Sequence, residues 1–136
     1  MNISMIRHAF VLIIFALVGA LFIPSMAIPR LGLSAHTIGI LSGVLLLSVG
    51  AIWPCFNLGL GQANLLKWSW VCSSYANWLA CVCGAFLGTG RLTPIASEGL
   101  EGLAAAEILV SGLLVTVVIF SLLACALSLW GLRSPS

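Results

Sequence analysis

Charge is what this chain has least of. Of its 136 residues, five are Lys or Arg and three are Asp or Glu, 6% together, against roughly 25% in a typical soluble domain. A water-soluble fold needs a polar skin, and eight charged side chains cannot supply one. The surface must therefore face lipid. A net charge of +2 without a basic run is too small to suggest nucleic acid as a partner. The first apolar run contains no carboxylate, which a small proton-coupled multidrug exporter would need there. Glu107 is the one acidic residue near a later span, and its position suits a helix start. No CxxC pair is present. Cys55, Cys72, Cys81, Cys83 and Cys125 lie in or beside apolar stretches. Cys81 and Cys83 are two apart, so on a helix they diverge and cannot share a metal. All five read as small packing residues. Internal repeats and low-complexity segments are missing too.

Apolar residues fill the space, at 62%. A spanning helix needs about 20 of them in a row, and four such runs occur. They are Ala9 to Ile28, Ala35 to Phe56, Trp68 to Gly88 and Leu103 to Leu129, joined by Pro29–Ser34, Asn57–Lys67 and Thr89–Gly102. The predicted fold is an all-α membrane protein, one domain over 1–136, a four-transmembrane-helix bundle with both termini on the same side. Helices are required because lipid cannot satisfy exposed backbone groups. A signal peptide is the rival reading of the first run, given Arg7 and the small residues Ser25-Met26-Ala27. Its apolar stretch is nevertheless long enough to span. Arg7, Lys67 and Arg133 outnumber Arg30 and Arg91, which weakly favours cytoplasmic termini in a bacterial inner membrane. Trp53, Trp68, Trp70 and Trp130 fall near span ends, as aromatic belts do. Ser97, followed by Glu98 and Glu101, resembles the capped start of the fourth helix.

Small residues mark where helices touch. Ala35, Gly39 and Gly43 form one stripe, Gly84 and Gly88 another. Close helix packing explains both; room for a flat ligand is the sharper alternative. In the third span Ser73, Asn77, Cys81, Gly84 and Gly88 share one face. An amide in mid-membrane must find a partner inside the protein. That makes Asn77 either a packing bond or a substrate contact. Tyr75, the one tyrosine, points elsewhere and reads as packing.

Of two histidines, His8 precedes the first run and reads as interfacial. His36 enters the second run beside Gly39 and Gly43. An ionisable side chain within a span is a functional candidate, against the plain alternative of a hydrogen-bonded structural imidazole. One imidazole flanked by glycines suits haem iron, which accepts a single proximal His. Arg30 and Arg91 share its side of the membrane and could pair with haem propionates, unless they merely snorkel. No methionine is placed to close the sixth position. Such a site would favour chemistry over electron relay.

Two segments, LGLSAHTIGILSGVLLLSVGAIWP (Leu31–Pro54) and YANWLACVCGAFLGTGRLTP (Tyr75–Pro94), carry a resemblance over essentially the whole chain. The sequence resembles the hydroxylaminobenzene mutases, small membrane enzymes of nitroarene (nitrobenzene) degradation. That resemblance implies an isomerase converting hydroxylaminobenzene to 2-aminophenol without a co-substrate. The second span is also similar to that of styrene oxide isomerases, where an Ala-His pair is followed by small residues ending in Pro, here Ala35-His36 to Pro54. By that similarity His36 would ligate haem b, with the iron as a Lewis acid, and Asn77 would face substrate. The haem would lie between subunits of a homotrimer. Two positions depart from the pattern: Ser42 stands where the family has Asn, and Cys81 where it has Tyr. The expected catalytic set is thus Asn77, Ser42 and Cys81, with His36, Gly39, Gly43, Arg30 and Arg91 around the cofactor. One difficulty follows from the predicted boundaries, which put Asn77 some 12 Å deeper than His36 at about 1.5 Å per residue. A non-catalytic membrane anchor is the remaining alternative, but the short loops offer little partner surface.

Overall fold

The computed structural model describes residues 1–133. Its elements are α1 (Ile3–Ala20), α2 (Pro29–Ala51), α3 (Leu60–Leu87), a single-turn α4 (Pro94–Ser97) and α5 (Ala104–Gly131). Helices α1, α2, α3 and α5 are long and apolar enough to cross a membrane. Strands are absent among the described residues. The chain is an all-helical integral membrane protein.

The helices begin at places the apolar runs do not mark. Asn2 caps α1, its Oδ1 accepting the Met5 N–H at 3.2 Å. The helix therefore starts six residues before Ala9, carrying exposed Arg7 on its outer surface. Pro29 opens α2, because a fixed φ and a missing N–H are no loss in a first turn. The expected connection Pro29–Ser34 is therefore helical. Most of the expected connection Asn57–Lys67 is helical too, since α3 starts at Leu60 with Gln62 Oε1 accepting the Gly59 N–H at 3.1 Å. At its other end α3 stops on Gly88, whose φ of 67° is left-handed. Ser97 and Glu98 do not cap the fourth span. Ser97 ends α4, and Glu98 follows it in a left-handed conformation (φ 53°) that halts the helix. The spanning helix begins only at Ala104, so Glu101 lies outside it.

These boundaries remove the depth difficulty. His36 lies seven residues from the start of α2, and Asn77 ten from the end of α3. The difference of three residues is about 5 Å along the axis, roughly one turn.

Helix α2 packs along both α1 and α3, and α5 packs chiefly on α3. The Asn2 N–H donates to Gly50 O at 2.8 Å, and the Asn57 N–H to Gly131 O at 2.7 Å. The start of α1 thus meets the end of α2, and the segment before α3 meets the end of α5. At the opposite, loop end, the Ile28 N–H donates to Ala85 O at 3.0 Å. Each end has its own core. Met5, Ala9 and Leu12 meet Leu46, Leu66 and Trp70 near the termini. Met26, Leu31, Ala35, Cys81 and Ala85 meet near the loops. Between them the helices touch through small residues, and there the candidate site lies.

Candidate active site

Helix α2 turns two surfaces outward from its axis that matter here. Gly32, Gly39 and Gly43 are buried, while Leu33, Thr37, Leu41 and Val44 form an exposed stripe. A methyl group on Gly39 would lie 2.5 Å from Ala16 Cβ and 2.8 Å from Trp78 Cδ1. One on Gly43 would strike the Ile13 side chain and come within 3.0 Å of Ala9 O. Glycine is required at both positions because α1 occupies the space. Within the chain, the space beside these two glycines is filled by Ala16, Ile13 and Trp78. Their role is close helix approach.

His36 stands at the border between the packed seam and the exposed stripe, and is half-buried. Its Nδ1 lies 3.0 Å from the carbonyl oxygen of Ala16 in α1. A carbonyl can only accept, so Nδ1 carries the proton and donates. Nε2 then holds the lone pair, and it has no partner among the described residues. A backbone carbonyl on one ring nitrogen fixes tautomer and ring orientation, leaving the other nitrogen to bind a metal.

The remaining expected residues lie on α2, on α3 and in the loop that follows α3. Asn77 is half-buried on α3, and its amide makes no hydrogen bond among the described residues. Cys81 is buried one turn nearer the loops and packs in the cluster of Leu31 and Ala35, the latter adjacent to His36. Ser42 is half-buried, beside Gly43 and deeper than His36. Arg30 is largely exposed, with Nη1 3.7 Å from Glu98 Oε1 and 3.5 Å from Ile95 O. Arg91 is exposed and donates its backbone N–H to Glu107 Oε2 at 3.2 Å. None of the cavities described for this chain is lined by His36, Ser42, Asn77 or Cys81. His36 stands at the edge of the packed seam.

That edge bears on what could bind. No cluster of three or more His, Cys, Asp or Glu able to hold a metal exists among the described residues. A bare metal ion therefore finds too few ligands. A cofactor that brings its own equatorial ligands and asks one nitrogen of the protein, as haem does, fits an Nε2 without a protein partner.

Three features were not visible beforehand. The Ala16 carbonyl that orients His36 carries no sequence signal, because every residue has one. Trp78, next to Asn77, fills the notch left by Gly39 and stacks on Phe15 with ring centres 5.5 Å apart; an indole in mid-span could have suggested this. Glu107 is buried and accepts N–H groups from Gly90 at 2.8 Å, Arg91 at 3.2 Å and Gly102 at 3.1 Å. It ties the α3–α5 loop to α5. His8 sits edge-on to the rings of Trp68 and Tyr75, and the Tyr75 hydroxyl donates to His8 O at 3.2 Å.

The chain matches the styrene oxide isomerase family over residues 1–133. Hydroxylaminobenzene mutase HabB of Ectopseudomonas oleovorans is 43% identical over 124 residues, which is 90% of this chain and 76% of that protein. Hydroxylaminobenzene mutase HabA of the same organism is 35% identical over 88 residues, covering 64% of this chain and just under two thirds, 65%, of HabA. No solved structure matches significantly.

Proposed function

The chain belongs to the styrene oxide isomerase family, and from that premise we propose that it is a membrane isomerase converting hydroxylaminobenzene to 2-aminophenol. The substrate is that of the relatives' names. The reaction breaks the N–O bond, forms a C–O bond at the ortho carbon, moves one proton from that carbon and returns one to nitrogen. Atoms and electrons balance without a co-substrate. A neutral arylhydroxylamine partitions into lipid, so a site at the edge of a spanning helix is where such a substrate would arrive. The place of the reaction in nitroarene breakdown, and a bacterial inner membrane as its location, belong to the same proposal.

One observation carries the chemical reading: His36 Nδ1 is committed to Ala16 O, which leaves Nε2 as an oriented ligand. Haem b bound there would supply a Lewis-acidic iron for the N–O group. The chain's own residues do the rest. The glycine-packed seam keeps the imidazole fixed and water out. Asn77, about one turn deeper and free of protein partners, orients the substrate through its amide. Cys81 and Ser42 shape the neighbouring wall. Arg30, already in an exposed ion pair with Glu98, and Arg91 can exchange towards the carboxylates of a bound cofactor. Because His36 is only half-buried in the single chain, a second copy would close the site, as a homotrimer with its cofactor between subunits would do.

The test is the visible spectrum of the purified protein beside its turnover of hydroxylaminobenzene. A Soret band and 2-aminophenol formation are expected in the wild type and in His8→Ala, and both are expected to vanish in His36→Ala. A colourless but active wild type would remove haem and leave the isomerase; a haem-loaded protein inert towards arylhydroxylamines would remove the substrate.

A further inference from the structure

An apolar groove of about 350 Å³ lies between the last turns of α1 and the loop-side half of α3. Phe15, Gly19 and Phe22 line it from one side, Trp78, Val82 and Phe86 from the other. An apolar cavity of about 150 Å³ suffices to hold a benzene, so a substituted single ring fits here. The four aromatic side chains offer it stacked and edge-on contacts that a flexible acyl chain cannot use. Phe15 and Trp78 already form a near-parallel wall, 23° apart.

Gly19 makes the groove, and helix packing does not demand it. A methyl group there would meet only Trp78 Cζ2, at 3.9 Å, an ordinary contact. Glycine in a helix costs up to about 1 kcal/mol against alanine. Gly39 and Gly43 return that cost through close helix contact; Gly19 leaves an open floor instead.

The groove also borders the α1–α2 seam that carries the imidazole. The Cζ2 side of the Trp78 indole faces Gly19, while Cδ1 and Nε1 face Gly39, one turn from His36. Ala16, whose carbonyl holds His36, directly follows Phe15. A single indole therefore separates groove from seam, and its N–H has no acceptor among the described residues.

We propose that this groove collects a neutral single-ring arene from the lipid and holds it against Phe15 and Trp78, next to the His36 seam. Trp78 is the partition between groove and seam, and its N–H is free to meet a polar substituent of the bound ring. The proposal rests on the arylhydroxylamine reading above for the identity of the arene.

Nitrobenzene, a neutral arene that quenches tryptophan, is the probe, with the full chain in phosphatidylcholine vesicles. The wild type should show a saturable quenching component that Trp78→Phe removes and Gly19→Leu abolishes by filling the floor. Val82→Phe, which fills the opposite wall, should act alike and guards against a folding defect in the first variant. With hydroxylaminobenzene, both filling variants should raise KM about tenfold, as steric changes in apolar pockets do, and alter kcat far less. Quenching that stays linear in concentration in the wild type overturns the proposal. So does saturable quenching indifferent to both filling variants, or quenching of Trp78 by bromoacyl lipid alone, which would make the groove a lipid site. The two readings fail separately. Saturable binding sensitive to Gly19→Leu in a protein without isomerase activity removes the function and keeps the groove. Turnover with unchanged KM in both variants does the reverse.

Discussion

The α1–α2 seam and the α3–α5 pair join comparably apolar helices by different means. Along the seam, Gly39, Gly43 and Gly50 bring α2 against Ala16, Ile13 and Ile6. The α3–α5 pair buries only Glu107, Val110, Ala124 and Gly131 of α5, and Gly112 faces open space. That pair is fastened near its ends by polar bonds. Glu107 holds the loop, the Trp70 Nε1–H donates to Ser128 Oγ at 3.2 Å, and the Asn57 N–H donates to Gly131 O. In lipid no hydrophobic force drives helices together, so association relies on van der Waals fit or on hydrogen bonds. Here both pairs pack along their length; the first adds close approach at glycines, the second a side-chain bond between Trp70 and Ser128. The imidazole lies where steric fit fixes position most tightly, and the helix held by its ends is the peripheral one.

Four substitutions probe that contrast. Gly43→Leu drives a side chain into Ile13 and the Ala9 backbone, and should cost about 3 kcal/mol or more, the upper range for overpacking. Gly112→Leu, with the same change of volume, should stay within about 0.5 kcal/mol. Equal losses in reversible unfolding from mixed micelles would erase the distinction between the two pairs. Glu107→Ala strands three backbone N–H groups and should cost about 2 kcal/mol. Hydrogen exchange should quicken at Gly90, Arg91 and Gly102 and stay unchanged in α1 and α2; protection lost throughout would mean that the pairs are one cooperative unit. Trp70→Phe removes a single bond to Ser128 and should cost about 1 kcal/mol or less, seen as a small shift in the unfolding midpoint with turnover preserved.

The four spans were legible because hydropathy alone decides what lipid tolerates. Their starts were not, for three separate reasons. Arg7 can ride exposed on a helix that a cap at Asn2 begins. Pro29 begins a helix as readily as it ends one. Glu98 looks like a first-turn carboxylate but takes a left-handed backbone that stops α4. The site was half legible. His36 stood out because an imidazole in an apolar run is rare, whereas its orienting partner is main chain and therefore silent. Gly39 and Gly43 were visible as small residues, but residue type could not say whether a helix or a ligand fills the space beside them.

The hold of Ala16 O on His36 has a consequence for how this ring can be altered. A side-chain partner can be deleted by one codon change; a peptide oxygen survives every replacement at its own position that keeps α1 helical. The ring's aim is therefore buffered against drift in the α1 sequence and exposed to shape alone. A kink or a register slip in the final turns of α1 would swing the imidazole without changing any residue that touches substrate.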